Sequence, residues 1–279
     1  MSGETKSQGQ KDLLDRFYTP VDVAKKCIEL LDLSQFDCII EPSAGSGNFL
    51  QAIEPFKALA FDIAPADEVR NITKADWFLL DKSQFACNKN ILVLGNPPFG
   101  QQNKLAVNFF NEAAKFCNVI AFILPLSFKK ESVQNRLDLN FHLTKEMPLP
   151  NCEFFLVNKT KVLVPCVFQI WEKQDKPRKK FKMRTTSKLF QFVDGGLADF
   201  RIQRVGGNAG KASFDLTKSA SSNYFIKNTS NLSNEEFVNL VNSLEFPSIE
   251  FTVGPKSLPK GELVAIIEEN IEETEKERL

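Results

Sequence analysis

From about residue 20 to residue 173, short apolar runs of β-like composition alternate with longer stretches whose apolar residues recur at helical spacing. This is the pattern of a sheet covered by helices. "VDVAKKCIELLDL" predicts a helix with Thr19 as N-cap and Pro20 in its first turn, and Cys38–Ile40 a first strand. Further strands are expected at "ALAFDI", "ITKAD", "ILVLGN" and "VIAFILP", with helices at "SGNFLQAIEPF" and "KLAVNFFNEAAKF". The rhythm then changes: "FHLTKEMPL" and "KVLVPCVFQIWEK" read as two longer strands, an antiparallel pair closing a mostly parallel sheet.

The run "EKQDKPRKKFKMRTTSK" is basic, polar and marked by proline. It sets a boundary between a domain at 1–174 and a smaller α+β module at 175–279. The module carries glycine-rich turns, a strand-like "NYFIK", a capped helix in "LSNEEFVNLVNSL" and an acidic amphipathic tail that reads as a solvated helix.

Composition narrows the chemistry. The 35 basic residues balance 35 acidic ones, so any affinity for nucleic acid must come from a local patch rather than from net charge. The six cysteines are scattered singly, and the only histidine is His142. Two-histidine zinc sites are thereby removed, no metal site is expected, and a serine or cysteine hydrolase would have a single base to use. The polar N-terminus and the lack of a long apolar run make cytoplasmic residence, with no membrane contact, the expectation.

The candidate chemistry gathers at the ends of the expected strands. The first strand runs into "EPSAGSGNFL", where Gly45 and Gly47 let backbone approach a ligand and Glu41 and Ser43 stand beside it. The second ends in Asp62, suited to ribose hydroxyls or to capping its own loop. The third ends in Asp76 and Trp77, a carboxylate that can accept from an adenine amine and an indole that can cover the ring. The fourth ends in Asn96-Pro97-Pro98-Phe99, poor material for a turn that only needs to be a turn. In the C-terminal module, Arg201, Arg204, Asn208 and Lys211 surround a Gly-Gly-Asn turn; they suit phosphates or base edges, or simply a charged hairpin surface. Lys129, after the fifth strand, suits a phosphate or a solvated loop.

Taken in order, "FYTP", "EPSAGSGNF", "FDI", "ADWF" and "LGNPPFG" resemble the S-adenosylmethionine-dependent adenine-N6 DNA methyltransferases in which the cofactor motifs precede the N-P-P-F/Y motif and target recognition comes last. The resemblance covers roughly the first 175 residues. It implies a Rossmann-like class I methyltransferase fold, α/β with a mostly parallel seven-stranded sheet and an antiparallel end. It also implies catalysis at Asn96, Pro97, Pro98 and Phe99, with Phe99 stacked on a target base flipped out of DNA. Thr19, Pro20, Glu41, Ser43, Gly45, Gly47, Asp62, Asp76 and Trp77 would hold the cofactor, and Phe155 or Phe154 would supply a second aromatic face. Restriction-modification or phage origin is the expected setting, with a partner subunit or endonuclease left open. The alternatives are an RNA adenine-N6 methyltransferase, a protein glutamine methyltransferase, and a non-catalytic nucleic-acid-binding subunit.

Overall fold

The computed structural model describes residues 17–66, 71–85, 87–150, 152–156, 160–252 and 254–277, so the polar N-terminal stretch lies outside the described residues. The chain divides into two compact units, Met1–Pro125 with Arg136–Lys179, and Leu126–Asn135 with Lys180–Leu279.

The first unit is built on strands β1 (Cys38–Glu41), β2 (Leu59–Asp62), β3 (Ile72–Lys74), β4 (Ile91–Gly95), β5 (Val119–Pro125), β6 (Phe141–Leu149) and β9 (Cys166–Lys173), with a hairpin of β7 (Glu153–Phe155) and β8 (Lys161–Leu163) inserted before the last. The sheet order is β3-β2-β1-β4-β5-β9-β6. Strands β1 to β5 pair in parallel, whereas β9 runs antiparallel to both its neighbours. Every residue of β1 and β4 is buried, which is why these strands read as unbroken apolar runs rather than as alternation. Order reverses at β1, which has β2 on one side and β4 on the other, and this opens a crevice at the carboxyl ends of the strands.

Among the described residues this unit carries the α-helices α1 (Val21–Ile28), α2 (Asn48–Ala52) and α3 (Lys104–Ala114). On α3, Ala106, Val107, Phe109, Phe110, Ala113 and Ala114 form the buried face. Two boundaries differ from expectation for reasons of backbone chemistry. Pro20, not Thr19, occupies the N-cap position of α1, and no side chain caps that helix. The run "KVLVPCVFQIWEK" is split, because Pro165 has no N–H to give a ladder: β8 pairs with β7, and only β9 enters the main sheet.

The second unit is a four-stranded antiparallel sheet ordered β10-β13-β11-β12, from β10 (Phe190–Phe192), β11 (Phe200–Gln203), β12 (Ala212–Ser213) and β13 (Asn223–Asn228). It carries α4 (Glu131–Gln134), α5 (Asn234–Ser243) and α6 (Lys260–Glu277). Helix α5 starts in a capping box in which Ser233 and Glu236 each receive the other's backbone N–H. The acidic tail forms α6 and buries Leu263, Val264, Ile267 and Ile271 in a core with Phe190, Phe200 and Phe237. The segment 126–135, inside the sequence-based first domain, packs with this unit. The Asn135 side chain donates to the Phe181 carbonyl and accepts from its N–H, each at 2.9 Å, and Lys130 Nζ donates to Ser257 Oγ at 3.2 Å. Among the described residues no helix is long and apolar enough to cross a membrane.

Candidate active site

The turn after β1 uses left-handed backbone at Gly45 (φ +51°) and Gly47 (φ +74°), which side chains disfavour. A Cβ on Gly45 would lie 2.8 Å from Cε1 of Tyr18, so close approach also demands glycine there. Asp62, at the end of β2, clamps this turn: Oδ2 accepts from Gly45 N–H at 2.8 Å and Oδ1 from Ala64 N–H at 2.7 Å. Its expected loop-capping role is therefore real, and each oxygen keeps lone-pair capacity for a further donor.

Glu41 ends β1 and is almost wholly buried, with Oε2 lacking any partner. Burial, and secondarily the nearby Asp62 charge, raise its pKa from 4.5 to about 8. Gly95 (φ +140°) makes room for it, since a Cβ there would stand 3.3 Å from Glu41 Cγ.

Asn96 follows β4. Its Nδ2 donates to the Phe17 carbonyl at 3.0 Å and to Thr19 Oγ1 at 3.1 Å. A carbonyl oxygen only accepts, so this pairing fixes which way round the amide sits. Oδ1 is left buried and without a partner. Ser43 Oγ donates to the Asn96 backbone carbonyl at 3.3 Å. Asp76 Oδ1 accepts from Phe78 N–H at 2.9 Å, shaping the loop in which Trp77 is buried against Phe109 at a centroid distance of 6.5 Å. Lys82 Nζ lies 4.6 Å from the indole centre, and Trp77 Nε1 has no partner.

A cleft of about 220 Å³ joins these groups. Ser43, Gly45, Asp62, Asp76, Trp77, Asn96, Pro97 and Pro98 line it, and Thr19 and Glu41 line a smaller adjoining cavity. Pro20 and Gly47 are in neither lining, being the N-cap residues of α1 and α2. Two of the aromatic candidates lie away from the cleft. Phe99 is 7% exposed, stacks on Phe17 at 5.9 Å and lies outside the cleft lining; Phe154 is fully buried, edge-on to Phe17 at 6.1 Å. Both belong to the apolar core, where burial of a ring outweighs exposure to a polar cleft. Phe155 is half-buried, exchanges two backbone hydrogen bonds with Tyr18 (2.8 and 3.0 Å) and carries Lys161 Nζ 5.8 Å from its ring.

The remaining sequence candidates fall in the second unit. Lys129 Nζ lies 5.2 Å from the Phe251 ring centre. Arg201 is placed as an internal strut: it is 8% exposed, with Nε donating to the Asp215 carbonyl at 2.7 Å and Nη1 to Asn223 Oδ1 at 2.8 Å. Arg204 is exposed over Tyr224, and Asn208 is exposed in its turn. Sequence reasoning passed over Tyr18, Asn48 and Phe109. Tyr18 lines both cavities, Asn48 Nδ2 holds the Thr19 carbonyl at 2.6 Å, and Phe109 covers Trp77. Only Phe109 left a signal, through its place on the apolar stripe of α3.

The seven-stranded order with one antiparallel strand next to the edge, a glycine turn after β1 and an acid ending β2 define a Rossmann-like class I methyltransferase fold. No family model matches the sequence, and no curated relative does. Solved structures similar to it include a candidate RNA methyltransferase from Pyrococcus horikoshii, with 18% identity over 60% of this chain and 90% of that one, at a TM-score of 0.43. A candidate methyltransferase from Escherichia coli shares 12% identity over 50% of this chain and 76% of that one, at a TM-score of 0.31. A protein from Thermoplasma acidophilum shares 14% over 50% and 76%, at 0.33. Likeness at this level says nothing about activity, which is argued from the site's own geometry.

Proposed function

We propose that the chain is an S-adenosylmethionine-dependent methyltransferase that acts on the N6 amino group of adenine in DNA. The observation that carries this reading is the buried, unpartnered Oδ1 of Asn96, a residue of the cleft lining whose amide nitrogen is fully engaged.

The cleft suits a cationic cofactor. It presents Asp62 and Asp76, with Glu41 in the adjoining cavity, and among the described residues no Lys, Arg or His lines either space. A dinucleotide would bring its pyrophosphate against these carboxylates with no cation to meet it. Glu41 Oε2 and Trp77 Nε1 are buried polar atoms without partners, as expected of groups that a ligand satisfies. Glu41 would face the ammonium end, Asp62 the ribose, and Asp76 with Trp77 the adenine. The cofactor supplies an electrophilic sulfonium methyl group.

An adenine amino nitrogen is a poor nucleophile because its lone pair is delocalised into the ring. Asn96 Oδ1 and the Pro97 carbonyl can each accept one amino hydrogen, favouring a tetrahedral nitrogen whose lone pair faces the methyl carbon. The prolines stiffen the turn that aims the two acceptors. As the N–C bond forms and the C–S bond breaks, the nitrogen becomes a strong acid, and its proton leaves to water without a dedicated base. His142 has no part in this: it sits on β6 with Nε2 2.9 Å from the Lys176 carbonyl. Burial pushes the Cys27, Cys117 and Cys166 thiols up, which disfavours these three as nucleophiles. Phe155, half-buried and outside the cleft lining like Phe99 and Phe154, is the most accessible of the three for covering the base. The exposed Lys179, Lys180, Arg204 and Asn208 are the candidates for contact with nucleic acid.

The test is transfer of labelled methyl from S-adenosylmethionine to duplex DNA, single-stranded DNA, total RNA or a protein extract, followed by digestion and identification of the product. N6-methyladenine from DNA is the expected outcome. Label in RNA or in protein glutamine would keep the catalytic reading and overturn the substrate, whereas bound cofactor with no transfer anywhere would indicate a non-catalytic subunit.

A further inference from the structure

We propose that Thr19 is a positioning residue for Asn96: its hydroxyl oxygen, together with the Phe17 carbonyl, holds the carboxamide in the orientation that leaves Oδ1 free to accept from the target amine. This rests on the reading of Asn96 given above and assigns Thr19 a role distinct from the cofactor contact implied by the sequence motif.

A carboxamide rotates in a broad, nearly two-fold potential, so its nitrogen and oxygen exchange places unless neighbours tell them apart. Both hydrogens on Asn96 Nδ2 are claimed, one by Phe17 O at 3.0 Å and one by Thr19 Oγ1 at 3.1 Å. Turned over, the amide would set its oxygen against the Phe17 carbonyl, acceptor to acceptor. One carbonyl alone leaves the second hydrogen unclaimed; the threonine oxygen completes the pair and retains its own proton to donate elsewhere.

Thr19 is itself firmly seated. It is 5% exposed, and its carbonyl accepts from Asn48 Nδ2 at 2.6 Å, at the start of α2. On the other side Tyr18 exchanges two backbone hydrogen bonds with Phe155 of β7. The strap 17–19 is thus pinned to the glycine turn and to the hairpin, and the Thr19 hydroxyl meets Asn96 across 77 residues of sequence. The anchors are backbone groups, so changing the side chain leaves the strap's attachments in place.

That separation makes the proposal testable. Thr19→Val keeps the shape and removes the acceptor, Thr19→Ala removes it without adding a methyl group, and Thr19→Ser restores it. In the valine and alanine variants kcat should fall about tenfold or more, the loss expected for one hydrogen bond made to the reacting geometry, while cofactor Kd stays within about threefold. Thr19→Ser should recover to within about threefold of the native rate. Without any turnover, the Asn96 side-chain NH₂ resonances of the free protein should shift and lose exchange protection in Thr19→Val and Thr19→Ala, but not in Thr19→Ser. Unchanged kcat and unchanged Asn96 resonances in both acceptor-free variants would overturn the proposal, as would a loss confined to cofactor affinity. Asn96→Ala serves as the control for the underlying reading: if that variant still transfers methyl groups, the assignment of Asn96 fails, whatever Thr19 does.

Discussion

Replacing Glu41 by glutamine is expected to stabilise the free protein at neutral pH, although glutamate stands at the heart of the candidate site. The native carboxyl titrates at about 8, against an ordinary value of 4.5 that the unfolded chain recovers. Between those values the native state holds a proton that the unfolded state has released. The stabilising contribution of the protonated carboxyl is therefore complete below pH 4.5 and is lost as pH rises through 8. Each pH unit in that window removes about 1.4 kcal/mol, so at pH 7 the native state has given up about 3 kcal/mol relative to a neutral isostere. Glutamine has nothing to titrate and keeps the shape accommodated by Gly95. Urea unfolding of both proteins at pH 5 and pH 8, without cofactor, measures the difference; the other carboxylates are common to both and largely cancel. The native protein should lose several kcal/mol more than the variant between these two conditions. Parallel losses would refute the reasoning, because they would mean that Glu41 ionises as readily in the folded protein as in the unfolded one.

Asp62→Ala should weaken cofactor binding measured by calorimetry about tenfold or more, since it removes the proposed acceptor for ribose and the clamp on Gly45 together; unchanged binding would leave Asp62 with the loop alone. Arg201→Ala should lower the stability of the second unit by about 2 kcal/mol, read by thermal melting, because it strands a buried partner on Asn223 and a part-buried one on Asp215; loss of DNA affinity with unchanged melting would restore Arg201 to the interface. Charge reversal at Lys179 and Lys180 should reduce both DNA affinity and its dependence on salt, and an unchanged salt slope would place the linker away from phosphates.

Local pattern alone carried the architecture. The buried runs of β1 and β4, the helical spacing on α3 and the glycines that must adopt left-handed backbone are each dictated by a few consecutive residues, so they are legible wherever the chain is read. The same holds for the acids and the Asn-Pro-Pro turn at the strand ends, whose position follows once the strands are known. Tertiary structure decided which side chains are free to act. Phe99 and Phe155 look alike in sequence, but one completes the core against Phe17 while the other stays half-buried beside Tyr18. Arg201 and Arg204 are three residues apart, yet alternation and a partner on β13 consume the first and leave the second exposed over Tyr224. The orientation of Asn96 rests on Phe17 and Thr19, far away along the chain. Hydrogen bonds and burial between distant segments are decided by how the strands and loops pack, and sequence spacing holds no record of that.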